Sequence, residues 1–244
     1  MTVEITGSIY STTIASSSSD GSITGITVPS DAEVAIVLAL TGSSVTPPVF
    51  DELCFDAGGT VDFTEIVSAG ASSDAHPTAN RLFGDDANFP SGSNQTLTIS
   101  IDRAMGYGQG HFVLFFLKGV DDSSSWANFL IGTDTVNGTT TDWESSSLGT
   151  VGADDMAFIV AGDYGNNIES TPTGAGQTEI YEVQGSNWRV AMAYKLNEAT
   201  PEVEGSGGGY FSGVAFAIKA ASGGGGISIP IVMGQMNQFN GGMI

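Results

Sequence analysis

The sequence predicts an all-β protein built as a two-sheet antiparallel β-sandwich. Short runs rich in β-branched and aromatic residues recur along the chain, separated by Gly, Ser, Asp and Asn. No long stretch repeats its apolar residues at the 3.6-residue period of a helix. In Thr96–Ile101 hydroxyl-bearing and apolar residues alternate, which is typical of a strand with one buried face.

The predicted strands follow one another with turn residues between them. In chain order they are Val3–Tyr10, Ser22–Val28, Val34–Leu40, Glu52–Phe55, Val61–Val67, Gln95–Asp102, His111–Lys118, Asn128–Thr133, Met156–Ala161, Glu179–Val183, Trp188–Leu196 and Gly213–Lys219. Val34–Leu40 and Phe112–Leu117 are apolar at every position. Because both faces of such a strand need cover, these two are predicted to be central.

The two ends of the chain differ from this body, which is predicted to span residues 22–221. Residues 1–21 contain a strand-like stretch and the polar run Ser16–Ser19, and are predicted to be an extended N-terminal arm onto a neighbour or the first strand of the sandwich. Residues 222–244, here called the C-terminal tail, begin with Gly223–Gly226 and carry no charged side chain.

The tail also concentrates apolar side chains that would be unusual in a solvent-exposed segment. We expect the following residues to bind a partner: Ile227, Ile229, Ile231, Val232, Met233, Met236 and Phe239. Docking on the chain's own sandwich remains the alternative. The tail therefore predicts a protein that works in an assembly, with a homo-oligomer among the expected forms.

The charge balance is strongly acidic, with 27 Asp and Glu against 6 Lys and Arg and a formal net charge of -21. Such a field repels phosphate groups, so neither nucleic acid nor an anionic membrane is an expected partner. Surroundings rich in salt or divalent ions would screen the self-repulsion, as in sea water or outside a cell. Simple drift towards acidic composition is the other interpretation.

The residues give no sign of catalysis, and no enzyme activity, cofactor or metal is predicted. The only imidazoles are His76 and His111, and neither lies near a Gly-x-Ser-x-Gly elbow. The glycines of residues 106–110 precede a hydrophobic strand and no Lys, so they indicate a wide turn. Paired acids such as Asp51-Glu52 and Asp154-Asp155 lack the spacing of a calcium loop and are interpreted as solvated loop charge.

Three further features bear on where the protein works. Cys54 has no second cysteine to pair with and is predicted to be a buried thiol. The first residues lack a basic region followed by an apolar run, so we expect no secretory signal. No uninterrupted apolar run is long enough for a membrane helix, so no membrane insertion is expected.

A resemblance to a known kind of module appears in the order of the strand segments. The succession runs VPSDAEVAIVLAL, FDELCFDAGGTVDFTEIV, NQTLTISID, FVLFFLKGVD, ADDMAFIVAGDYG, GAGQTEIY, WRVAMAYKLN and GVAFAIKAA, from Ile26 to Ala221. It resembles a β-sandwich module of phage virion proteins and bacterial surface proteins. The resemblance implies a jelly-roll or concanavalin-like sandwich used for display, attachment or assembly, and it transfers no functional residues.

Together these features predict a non-enzymatic virion structural protein, most simply of a bacteriophage: a capsid or tail decoration, cement or spike component. Its predicted location is the virion or an extracellular particle surface, and its partners are other virion or surface-assembly proteins. The alternative is a carbohydrate-binding or host-attachment module that stacks a glycan on Trp126 and Trp143, which lie in polar segments. A glycan-cleaving enzyme is a third hypothesis and rests on fold analogy alone.

Overall fold

The fold is known from a computed structural model of the chain. It describes residues 1–42, 49–55, 63–69, 78–85, 90–102, 104, 109–121, 126–138, 143–164, 176–184, 188–203 and 210–222.

Strands make up nearly all of the regular structure in this part of the chain. They are β1 (Glu4–Ile14), β2 (Asp20–Val28), β3 (Val34–Gly42), β4 (Phe50–Cys54), β5 (Thr64–Ala69), β6 (Thr78–Asp85), β7 (Gly92–Ile101), β8 (Gly110–Lys118), β9 (Leu130–Gly138), β10 (Trp143–Glu144), β11 (Met156–Tyr164), β12 (Thr178–Gln184), β13 (Trp188–Leu196), β14 (Glu202–Val203) and β15 (Tyr210–Ile218). One helical turn, α1 (Trp126–Phe129), precedes β9. The all-β prediction is confirmed.

The described strands form four antiparallel sheets. Sheet 1 has the order β1-β8-β3-β6-β5, sheet 2 the order β12-β13-β11-β15-β9, sheet 3 the order β2-β7-β4, and sheet 4 pairs β10 with β14. The sequence predicted two sheets. The structure instead divides the strands among two five-stranded sheets and two smaller ones.

Three hydrophobic clusters join the faces of these sheets. On β8, Phe115 belongs to the cluster that sheet 1 shares with sheet 2, while its neighbour Phe116 belongs to the cluster shared with sheet 3. On β11, Phe158 packs towards sheet 1 and Ile159 towards Trp143 and Val203 of sheet 4. Sheets 1 and 2 are therefore covered on both faces, which explains why their middle strands are apolar at every position.

The core between sheets 1 and 2 is built around stacked aromatic rings. The ring centroids of Phe115 and Phe158 lie 5.4 Å apart, and those of Phe158 and Phe216 lie 4.9 Å apart. All three side chains are fully buried. Such pairs contribute about 0.5–1.5 kcal/mol each beyond the burial of their area. The pair Phe115–Phe158 joins sheet 1 to sheet 2, and the pair Phe158–Phe216 joins neighbouring strands of sheet 2.

The first eight strands follow the order of a jelly roll. In a jelly roll, strands 1, 8, 3 and 6 form one sheet and strands 2, 7, 4 and 5 form the other. Here β1-β8-β3-β6 and β2-β7-β4 reproduce that order, and only β5 departs from it because it pairs with β6 instead of β4. The remaining strands add sheet 2 to the open face of sheet 1.

Several predicted boundaries and elements differ from the structure. Residues 1–21 supply β1, which pairs with β8 along its length, so the described part of this segment is a strand of sheet 1 and not a free arm. The predicted start of the body at residue 22 falls inside β2. The strands β6, β10 and β14 were not predicted, and β6 lies between β3 and β5 inside sheet 1.

Candidate functional site

Both ends of the described chain meet at one end of the fold, in a region here called the terminal junction. Ala220 forms an isolated bridge with Val120, and the Ala221 amide donates to the carbonyl of Gly119 over 2.8 Å. The Met1 amine donates to the Ala221 carbonyl over 3.2 Å. The C-terminal tail therefore begins beside the first residues of the chain.

Gly119 allows the terminal junction to close. Its φ is +72°, in the left-handed region that L side chains rarely adopt. A Cβ at this position would also overlap the Thr2 carbonyl oxygen. Only glycine fits both the turn and the close approach of the first residues.

Asp155 anchors the junction from the second sheet. Its buried carboxylate accepts hydrogen bonds from the Gly152 amide at 2.6 Å and from the Ala220 amide at 2.7 Å. The neighbouring Asp154 is exposed, and its carboxylate accepts the Thr2 hydroxyl at 2.6 Å. The Val3 amide donates to the Asp154 carbonyl. The pair Asp154-Asp155 thus ties both chain ends to the start of β11, a structural role for an acidic pair of loop residues.

A cavity of about 290 Å³ opens at the junction, beside the start of β1. Lys118 is the cationic side chain in its wall and forms ion pairs with Glu4 at 3.3 Å and Asp31 at 3.2 Å. The Thr6 hydroxyl and then Lys118 hold the pKa of Asp31 below its usual range, and the carboxylates raise the pKa of Lys118. These groups are substantially exposed, so the pairs fix local geometry more than they stabilise the fold.

The strand that starts at this cavity, β1, is an edge strand of sheet 1. It pairs regularly with β8 from Tyr10 to Ile14, and its register shifts between Thr6 and Tyr10. Ile9 is 42% exposed, one of few large hydrophobic side chains in the described chain to be so exposed. Between Ile5 and Ile14 the strand carries no charged residue. The strand β2 lies beside β1, where the Thr27 amide donates to the Tyr10 hydroxyl over 2.9 Å. An edge strand without charged side chains is a template for pairing with another strand.

Of the two predicted glycan-binding residues, the structure describes the side chain of Trp143 only. Trp143 is buried and 7% exposed, within the cluster under sheet 4. Its ring covers Gly213, where an added Cβ would lie 2.5 Å from Trp143 Cζ3. Its ring therefore closes the outer face of sheet 2, and sugar binding by Trp143 stays a prediction. Trp126 begins α1, and its side chain lies outside the described residues.

The other sequence candidates divide between buried and undescribed positions. The predicted partner-binding residues, from Ile227 to Phe239, lie outside the described residues, as does His76. Cys54 is buried, as predicted, and its thiol donates to the Glu52 carboxylate over 3.3 Å. In the described part of the chain, no three His, Cys, Asp or Glu side chains are grouped so as to hold a metal ion. None of the described helices is long and apolar enough to cross a membrane.

His111 is the buried imidazole of sheet 1, with 1% of its surface exposed. Its Nδ1 lies 2.9 Å from the Tyr181 hydroxyl oxygen, so a hydrogen bond joins β8 to β12 across the two large sheets. Burial lowers the pKa of His111 to about 4 and raises that of Tyr181. The imidazole is therefore neutral near pH 7, and its place between two sheets fits a structural role.

Sequence reasoning did not find the terminal junction or the β1 edge. The junction depends on contacts between residues far apart in the chain, such as Asp155 with Ala220. The one local signal was the uncharged run after Glu4 in β1.

Comparison with known proteins adds no relative: no protein-family model, curated protein or solved structure matches the chain.

Proposed function

We propose that this protein is a non-enzymatic structural protein of a virion, most simply a bacteriophage. In this proposal it decorates or cements a capsid or tail, or forms part of a spike, and it joins the particle through its C-terminal tail. The observation that carries the proposal is the strand order of β1 to β8, which follows a jelly roll in all but β5. Jelly rolls recur in viral capsid proteins and lectins.

The terminal junction supports the assembly role. It holds Ala220 and Ala221 by hydrogen bonds to Asp155 and Gly119. The position at which the tail begins is therefore fixed. The tail that follows is uncharged and rich in apolar residues. In a chain with a net charge of -21, an uncharged segment is the part that another copy meets with least electrostatic repulsion.

The carbohydrate-binding alternative has less support. It relies on Trp126 and Trp143, and the burial of Trp143 leaves little of that ring for a sugar to stack on. The glycan-cleaving hypothesis still rests on fold analogy.

Purified particles from a host that expresses this chain provide the test. Quantitative mass spectrometry should find the protein at a fixed copy number per particle that survives gradient purification. A glycan array and a polysaccharide depolymerisation assay with the same protein should both be negative. Absence from particles together with binding to a defined glycan would overturn the proposal in favour of the attachment module.

A further inference from the structure

We propose that the free edge of β1 receives the C-terminal tail of a second copy of this chain, as an added antiparallel strand. This inference rests on the proposed function and names the partner and the surface. The donor segment is Ile227–Val232, in which Ile227, Ile229 and Ile231 alternate, and the acceptor is Tyr10–Ile14. Main-chain hydrogen bonds to a sheet edge would supply the affinity, and alternate side chains the specificity.

Charge distinguishes β1 from most other described edge strands. Five strands lie at the remaining edges of sheets 1 to 3, and each carries an acidic residue: β2 has Asp20, β4 has Asp51 and Glu52, β5 has Glu65, β9 has Asp134, and β12 has Glu179 and Glu182. Charged residues on an edge discourage strand addition. The acid of β1 is Glu4, at its first position, where Lys118 pairs with it.

The regularity of strand pairing distinguishes β1 from β2, in which the acidic residue Asp20 also lies at the first position. The pairing of β2 with β7 shifts register between Ile23 and Ile26 and again between Ile26 and Val28. Irregular pairing twists a strand and interrupts the ladder that a further strand could follow. Tyr10–Ile14 of β1 pairs with β8 without a shift. It therefore offers a regular template next to the exposed Ile9.

The place where the tail begins favours a second copy over the same chain as the acceptor. The terminal junction lies at the Glu4 end of β1, because Ala221 bonds to Met1 and Val3 bonds to Asp154. An antiparallel strand on the same chain's β1 would have to start at the Ile14 end, roughly 33 Å away at about 3.3 Å per residue. Residues 222–226 can span at most about 18 Å.

Parallel pairing within the chain is the remaining possibility, and it is disfavoured for two reasons. Every ladder between described strands is antiparallel. A tail that ran parallel to its own β1 from the junction would also first meet the half of the strand where the register shifts, between Thr6 and Tyr10. In a neighbouring copy, the regular segment Tyr10–Ile14 of β1 can pair with the tail in the antiparallel direction.

Mixed disulfide cross-linking of full-length chains tests the proposal. One preparation carries Ser11→Cys in the acceptor strand. Three others carry Ile227→Cys, Ile229→Cys or Ile231→Cys in the donor segment, so that different registers between the two strands are tested. Since each chain has one engineered cysteine, a bond between the two types can form only between copies. Mild oxidation of the mixture should give this cross-link several-fold more strongly than the matched control Thr24→Cys, which lies at an exposed position of β2. The wild-type chain, with its buried Cys54, measures the background.

Other results would overturn the inference in distinguishable ways. Cross-links no stronger than those of Thr24→Cys would exclude β1 as the acceptor. A double variant, Ser11→Cys with Ile229→Cys, that yields only internally bonded monomers would show docking within one chain. Light scattering of the wild-type chain and its copy number on particles are measured separately. If the chain self-associates or enters particles but the cross-link to Ser11→Cys does not form, β1 is not the acceptor. The proposed function would still stand in that case.

Discussion

At the residue scale, two buried polar side chains hold together strands that are distant in the sequence. His111 joins β8 to the Tyr181 hydroxyl of β12, and Asp155 joins the start of β11 to Ala220. The sequence placed His111 at the start of an apolar strand and Asp155 in an acidic pair. It could not show their partners, because a hydrogen bond between distant residues leaves no local pattern.

His111 should make the fold sensitive to acid. Its pKa in the folded chain is lowered to about 4 by burial, so the unfolded chain takes up the proton first as the pH falls. Stability from this residue is present above pH 6.5 and is lost as the pH falls towards 4, by roughly 3 kcal/mol. Urea denaturation of the wild type and His111→Asn from pH 7.5 to 4 measures it.

The difference between those two proteins isolates the imidazole, because the carboxylates titrate in both. We expect the free energies of unfolding to converge as the pH falls. A difference that stays constant over this range would contradict the assignment.

The buried carboxylate of Asp155 should contribute more to the stability of the fold than the exposed carboxylate of Asp154. Asp155→Asn places an amide group against one of two amide donors, Gly152 or Ala220, and should cost about 1–3 kcal/mol of stability. Asp154→Asn is the matched control, since that exposed side chain accepts the Thr2 hydroxyl and should change stability little. Equal effects of the two variants in thermal denaturation would show that burial of the Asp155 carboxylate is not the cause.

At the scale of the elements, the sequence predicted those strands whose own side chains specify them. Both strands predicted to be central, β3 and β8, lie inside sheet 1 with apolar side chains in two different clusters. In contrast, β6 contains Asn80, Arg81 and Gly84 and has no such pattern. Its pairing with β3 and β5 holds it in the sheet, and strand preference depends strongly on such neighbours.

Sheet 4 should act as a cover and not as a binding surface. Trp143 of β10 packs over Gly213 of β15, and Val203 of β14 belongs to the same cluster. Trp143→Ala should therefore destabilise the fold by roughly 3–5 kcal/mol, as for other buried aromatic residues. Chemical denaturation measures this loss. Normal stability combined with loss of binding on a glycan array would restore the carbohydrate-binding interpretation.

At the scale of the whole molecule, the sequence predicted the class of fold but not the number of sheets. Apolar residues on both faces of β3 and β8 indicated central strands, yet such a pattern does not reveal which sheet covers which face. The hydrophobic clusters show that sheet 1 lies between sheets 2 and 3, and that sheet 2 lies between sheet 1 and Trp143. Strand order likewise comes from pairing between residues far apart in the chain, which leaves no local pattern in the sequence.

The net charge of -21 should make the folded state dependent on salt. Compact folding brings like charges together, and counter-ions screen their repulsion over about 10 Å at 0.1 M and less at higher concentrations. The melting temperature should rise between low salt and the ionic strength of sea water. Sucrose at matched osmolality is the control, because it stabilises without screening charge. Equal effects of NaCl and sucrose would argue against electrostatic repulsion as the cause.

The central claim is that this is a particle protein that assembles through its C-terminal tail, and deletion of residues 223–244 tests it most directly. Full-length and truncated chains are expressed during particle assembly, and each is quantified in gradient-purified particles. We predict that the truncated chain keeps the circular dichroism and melting temperature of the full-length protein but is missing from particles. A folded, truncated chain that enters particles at the full-length copy number would contradict the claim.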